Sequence, residues 1–245
     1  MTDSSKNRLF QHATLAGLLG GLYEGSTTFK ELLAHGDLGL GTLDSLDGEL
    51  VILDGVAYQI RADGQAYRMK ETDTTPYAMV TFFEADFGFD VDQLTTKEAL
   101  EAHITSLTQG PNLFYTVKVT GNFRIIHTRT VQKQSRPFLP LMEISDNQRT
   151  YTLEYITGTA VGFWSPTYLQ GVYVPGYHLH FIDDLRKVGG HVFDYEILEG
   201  RIEISQQTGI EIELPQNTDY LKSNLENPEI ADQIESIEKA GLKKD

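Results

Sequence analysis

The segment Tyr177-His178-Leu179-His180-Phe181-Ile182-Asp183-Asp184, with Gly189-Gly190-His191 close behind it, decides how the rest of the chain is read. Three of the seven histidines fall within 178–191. On a strand over Tyr177–Ile182, side chains alternate, so His178 and His180 project from one face with Cα atoms roughly 7 Å apart. The polar stretch Asp183–Gly190 ends in a glycine pair and can reverse the chain. His191 then opens the next strand and swings over the first two histidines. Three imidazoles with no obvious fourth protein ligand are the arrangement of an open, catalytic zinc-type site, because closed structural sites fill all four positions. Two alternating histidines alone would fit an ordinary hairpin equally well. The third, placed after a Gly-Gly turn, favours a metal.

Around this segment the β signal dominates. Tyr151–Ile156, Thr159–Trp164, Val172–Ile182, His191–Leu198, Arg201–Ser205 and Gly209–Leu214 read as strands, with turns at Thr157-Gly158 and Glu199-Gly200. Upstream, Asn112–Val131 alternates as two strands about Gly121. In the second of these, Arg129 shares its parity with Phe123, Ile125, His127 and Val131, so it points inward. Gln132–Pro140 is a loop.

The first part of the chain mixes helix and strand. Phe10, Leu15, Leu18, Leu19 and Leu22 recur at helical spacing and predict an amphipathic N-terminal helix. Thr28 with Glu31, and Thr95 with Glu98, have the spacing of capping boxes. The second introduces a helix with Leu100, Ile104 and Leu107 as its buried stripe, ended by Gly110-Pro111. Asp47-Gly48, Asp54-Gly55 and Asp63-Gly64 favour tight turns, so Leu38–Met69 predicts a β-meander. Met79–Phe83 is a further strand. Beyond Pro215 the pattern is helical again, with Ile230, Ile234 and Ile237 as the apolar face. The expected fold is α+β and predominantly β. Two halves based on mixed sheets, 1–146 and 147–245, pack with the metal site between them.

Composition narrows the function. The chain has 245 residues, 40% of them hydrophobic, enough to bury a substantial core. It has no cysteine, which excludes disulfides, thiolate metal sites and a cysteine nucleophile. Twenty basic against 35 acidic residues give a formal charge of −15 and no basic stripe, which disfavours nucleic acid. No apolar run approaches the ~20 residues that span a bilayer. The Gly-rich piece Leu15–Leu22 is too weak for a secretory signal. A soluble, cytoplasmic protein is expected.

An ion on three neutral imidazoles keeps its charge and open positions, and acts as a Lewis acid toward substrate oxygens. Such chemistry needs a proton donor nearby, and a cation if the substrate is an acid. Glu49 stands out among the carboxylates because it follows the Asp47-Gly48 turn at the head of an apolar strand. Any single glutamate is more commonly a solvated surface group. Arg129 among apolar neighbours requires an anionic partner, either a protein carboxylate or a substrate carboxylate. Phe163, Trp164, Tyr168, Tyr173 and Tyr177 are most simply core packing.

Together these motifs resemble the alpha-acetolactate decarboxylase family, from about Phe10 to Pro215. The resemblance is carried by Gly39-Leu40-Gly41-Thr42-Leu43 leading to Leu46-Asp47-Gly48-Glu49. It continues in Arg129-Thr130-Val131 with Lys133-Gln134-Ser135-Arg136-Pro137, and in Pro175-Gly176-Tyr177-His178-Leu179-His180 through Gly189-Gly190-His191-Val192. It implies zinc held by His178, His180 and His191, although imidazole also suits manganese, cobalt and iron. It implies a pocket glutamate at Glu49, a threonine at Thr42 and an arginine at Arg129. A second glutamate from the C-terminal tail falls on Glu235, with Glu238 as the alternative. The implied reaction takes (2S)-2-acetolactate to (R)-acetoin and CO2, through an enediolate that a glutamate protonates, in a homodimer. Two other readings compete. One is a cupin-like metal oxygenase or isomerase, which departs by having Asp183 where a liganding glutamate would stand. The other is a non-catalytic module that binds a hydroxy acid through the same ligands.

Overall fold

The structure is a computed structural model and describes residues 8–144 and 148–239. In chain order it contains β1 (Arg8–His12), α1 (Leu15–Leu19), β2 (Thr27–Thr28), α2 (Phe29–Leu32), β3 (Leu38–Thr42), β4 (Glu49–Leu53), β5 (Val56–Ile60) and β6 (Ala66–Arg68). Next come β7 (Thr74–Thr75), β8 (Ala78–Thr81), β9 (Phe87–Val91), β10 (Thr95–Thr96), α3 (Lys97–Leu107) and β11 (Phe114–Thr130). The remainder is α4 (Leu141–Ile144), β12 (Arg149–Ser165), β13 (Gly176–Asp183), β14 (Gly189–Gln207), β15 (Gly209–Glu213), α5 (Thr218–Lys222) and α6 (Ile230–Lys239).

Two sheets organise these elements. The first runs β15-β1-β8-β3-β4-β5-β6 and is mixed, because β1 and β15 pair in parallel. The expected meander is its β3-β4-β5-β6 portion. Asp54-Gly55 joins β4 to β5 with both residues at positive φ (52° and 73°), the two-residue turn whose twist suits a hairpin. The second sheet, of β9 to β14, is antiparallel throughout rather than mixed. Within it β11 pairs β12, β12 pairs β13, β13 pairs β14 and β14 returns to β11, so the four strands close on themselves at one end. The sheets change over between Thr81 and Phe87, and again between Gln207 and Gly209. The division placed near Asp146 does not follow them, and Asp146 itself lies outside the described residues.

Three turns expected from glycine do not form. Gly121, Gly158 and Gly200 lie inside single long strands and stand side by side across the sheet, Gly158 opposite Gly121 and Gly121 opposite Gly200. A Cβ on Gly200 would lie 2.6 Å from the Thr120 carbonyl oxygen, and one on Gly121 would strike the Glu199 carbonyl. Glycine here permits close approach of neighbouring backbones, beside an irregularity at Asn122/Phe123, without reversing the chain. That irregularity and another at His127/Thr128 also break the parity assigned to β11: Phe123 and Arg129 are buried, whereas Ile125 and His127 are only partly so.

The N-terminal helix is likewise shorter than its periodicity. Phe10 belongs to β1, which is held on both sides by β8 and β15, and Ala13 at φ 62° separates it from a helix of five residues. Sheet pairing on both edges outweighs a stripe diluted by Gly17, Gly20 and Gly21. The Thr28–Glu31 capping box forms with both of its hydrogen bonds. The second helix is capped by Thr96 rather than Thr95, because Thr95 and Thr96 pair with β14 before the helix begins. Leu107, at its last turn, is exposed.

The sheets meet through Leu38, Val51, Leu53 and Ile60 of the first and Val161 and Ile182 of the second. A larger apolar cluster joins Leu15, Leu46, Tyr77, Phe163, Tyr173 and, from α6, Ile234 and Ile237. Tyr168, expected in the core, is exposed and donates its hydroxyl to the Asn112 carbonyl. No helix among the described residues is long and apolar enough to cross a membrane.

Candidate metal centre

His178 and His180 share one face of β13, and His191 on β14 is the cross-strand partner of His180. Alternation along one strand and direct opposition on the next bring the three rings together. Nε2 of His178 lies 3.2 Å from Nε2 of His180 and 3.2 Å from Nδ1 of His191. Imidazole nitrogens bound tetrahedrally to zinc at roughly 2.0–2.1 Å stand about 3.3 Å from one another, so the three histidines fit such an ion. His180 Nδ1 donates to the Leu50 carbonyl at 2.7 Å, which fixes the ring and leaves Nε2 bare for a ligand. Burial, reinforced by Arg129 and His180, holds the His191 pKa well below the ordinary histidine value, which favours the neutral form of the ring.

The first sheet supplies the other wall. Glu49, the first residue of β4, is 9% exposed, and its Oε2 lies 3.5 Å from His180 Nε2. Its cross-strand partner Thr42 donates its hydroxyl to the Gly48 carbonyl. Gly48 takes φ 90°, a conformation that lets the Asp47-Gly48 turn deliver Glu49 to the cavity. Arg129 is buried on β11 opposite His191, although the strand parity that predicted this is broken by the register shifts before it. Its Nη2 stands 3.0 Å from His191 Nε2, and Nη1 donates to the Ile237 carbonyl on α6 at 2.7 Å.

These groups line one cavity of about 80 Å³, with apolar walls that include Leu15, Leu46, Val131, Leu141 and Val174. A carboxylate, a guanidinium and three imidazoles in an apolar enclosure can take up a small anion and move a proton onto it. Thr42, Glu49, Arg129, His178, His180 and His191 are all brought together. Glu235 is not among the lining residues; it is exposed on α6, whereas Ile234 and Ile237 face the cavity. Position 238 follows Ile234 by four residues and shares its helical face, but the Glu238 side chain lies outside the description. Asp183, which a cupin-like site would need as a ligand, shapes the hairpin turn instead: its carboxylate accepts from the backbone N–H groups of Leu185, Lys187 and Val188. Two further lining residues, Tyr77 and Gln148, carry no signal in sequence; each is an isolated residue in an otherwise ordinary stretch.

Fold and site define a predominantly β protein with a cluster of three histidines able to hold a metal ion. A profile of the family described as alpha-acetolactate decarboxylase matches residues 9–227. The chain belongs to this family. The alpha-acetolactate decarboxylase of Bacillus licheniformis is 39% identical over 236 residues, covering 96% of this chain and 93% of that one. That of Lactococcus lactis subsp. cremoris is 45% identical over 201 residues, or 82% and 85% of the two chains. The crystal structure of the Bacillus subtilis enzyme superposes with a TM-score of 0.92 at 39% identity, covering 94% of this chain and 99% of the other. A Staphylococcus aureus protein described as similar to the family superposes at 0.91, with 35% identity and coverage of 94% and 100%.

Proposed function

We propose that the protein decarboxylates (2S)-2-acetolactate to (R)-acetoin and CO2, using a divalent ion, zinc in the first instance, held by His178, His180 and His191. What supports this reading is the convergence of three imidazole nitrogens, Glu49 and Arg129 in one cavity, in a chain that belongs to this family. When bound, the ion supplies a Lewis acid for the adjacent hydroxyl and ketone oxygens of the substrate. Arg129 attracts and orients the carboxylate in a protein whose overall charge is −15. Its grip must stay loose, because a carboxylate held too firmly is stabilised in the ground state, whose charge leaves it in the transition state. The apolar walls exclude water. As the bond to CO2 breaks, its electron pair passes toward the ketone, and the carbon left behind takes a proton from one face. Glu49, within reach of the histidine cluster, is the donor on that face or fixes the donor.

A second carboxylate comes from α6. Glu235 and Glu238 are the two candidates, and the face that position 238 shares with Ile234 supports Glu238. Comparing Glu235→Gln with Glu238→Gln assigns the role to whichever loses turnover. The protein is further proposed to be a cytoplasmic homodimer, which light scattering on the purified protein tests.

The deciding experiment is acetoin formation from racemic acetolactate by protein stripped with chelator and reloaded with zinc, with chiral analysis of the product. Acetoin formed only after reloading, as one enantiomer, is expected. No acetoin from zinc-loaded protein would overturn the reading.

A further inference from the structure

Gln148 is a polar residue of the cavity wall with no assigned task. It immediately precedes β12, whose Arg149 pairs with Thr130, so it stands alongside Val131, two residues beyond Arg129. Gln148 and Val131 both line the metal-centre cavity and also a second, polar cavity that carries Lys133 and Gln134. The amide therefore stands in the partition between the two spaces. Its Oε1 is buried and makes no hydrogen bond among the described residues. A carboxamide is rarely left so in an interior, because an unmet buried polar atom forfeits its hydration. The amide nitrogen is not enclosed in this way, so the side chain already presents its donor to open space beside Val131.

Arg129 is meanwhile engaged through Nη1, which donates to the Ile237 carbonyl, while Nη2 stands 3.0 Å from His191 Nε2. A carboxylate offers roughly four acceptor sites, more than a guanidinium with one nitrogen held by a backbone carbonyl can fill. We propose that the Gln148 carboxamide is a second donor to the substrate carboxylate, a positioning residue that works beside Arg129. The inference rests on the decarboxylase reading. A neutral donor suits this place for a physical reason. A second cation would bind the carboxylate more strongly than the transition state, in which that charge is being lost, and would slow release of CO2. An amide aligns the group without that penalty.

The test pairs kinetics of the zinc-loaded protein with equilibrium binding of two unreactive ligands, for wild type, Gln148→Ala and the similarly sized Gln148→Met. One ligand is 2-hydroxy-2-methylpropanoate, which has the carboxylate and hydroxyl but no ketone to receive electrons. The other is acetoin, which has no carboxylate. Both variants are expected to raise KM for acetolactate and Kd for the hydroxy acid about tenfold. They should leave kcat within about twofold and the Kd for acetoin unchanged, a split that mere loosening of the wall would not produce. Gln148→Arg should do the opposite, lowering KM and kcat together. An unchanged hydroxy-acid Kd, or equal weakening of both ligands, would overturn the role of Gln148. Absence of turnover in wild-type protein would overturn the decarboxylase reading instead, while the two binding constants still report on Gln148.

Discussion

Gly162 lies against the carbonyl oxygen of His178, so closely that a Cβ on Gly162 would strike that oxygen. The two residues sit on neighbouring strands, with Gly162 opposite Leu179. The glycine thus sets how near β13 comes to β12, and so where the first histidine of the cluster stands. Gly162→Ala should push β13 outward and weaken zinc binding at least about tenfold, because ligand positions matter on the scale of a few tenths of an ångström. Competition with a chromophoric chelator measures this. Unchanged zinc affinity in a folded variant would refute the spacing argument.

On the proposed ligand set, His178→Ala removes one of three imidazoles and leaves a poor site. The purified variant should contain little zinc, form no acetoin, and lose the rise in Tm that zinc gives the wild type by binding the native state. Elemental analysis and a thermal melt with and without zinc test this; normal zinc content would remove His178 from the ligand set.

Glu49→Gln preserves shape but cannot deliver a carboxyl proton. Zinc content should be retained while kcat falls by about 10² or more. A rate close to wild type would move the proton transfer to the α6 carboxylate.

Ile234 and Ile237 bury their side chains where α6 closes over the cavity. Ile234→Ala removes about 2 kcal/mol or more of packing, a large amount for a helix of ten residues. The expected effect is local: faster proteolysis within α6 and reduced turnover, with a small shift in Tm. A large global loss of stability with α6 still protected would contradict it.

His12 is buried in β1 with Nε2 2.7 Å from Ser26 Oγ. Burial lowers its pKa, and Glu213 and Glu31 offset this only in part. The unfolded chain therefore takes up the proton more readily, and stability drains away as pH falls below the ordinary histidine value of 6.5. His12→Gln should flatten the decline of Tm between about pH 7 and pH 5.5. Identical slopes in the two proteins would assign that decline to other groups.

The clustering of His178, His180 and His191 was legible because strand alternation and a glycine turn are local rules, and both hold there. Glu49 was legible for the same reason, through Asp47-Gly48. The long strands were not. Glycine at 121, 158 and 200 gives the same local signal whether it turns a chain or lets two backbones approach, and only the sheet decides between them. Nor could periodicity show that Phe10 belongs to a strand, since its partner β15 is at the far end of the sequence. Glu235 was placed from a motif, whereas the face that α6 turns to the cavity is a helical phase set by the packing of Ile234 and Ile237.

The parallel pairing of β1 with β15 brackets the whole second sheet between two neighbouring strands of the first. Hairpin rungs such as those of β12 with β13 close short loops, but this clasp must gather nearly the full chain, at the greatest entropic cost of any strand pairing among the described residues. The histidine trio can therefore assemble early within its own sheet. Its environment is finished only when the clasp shuts, and a ribosome-bound chain lacking β15 would carry the ligands without a settled frame around them.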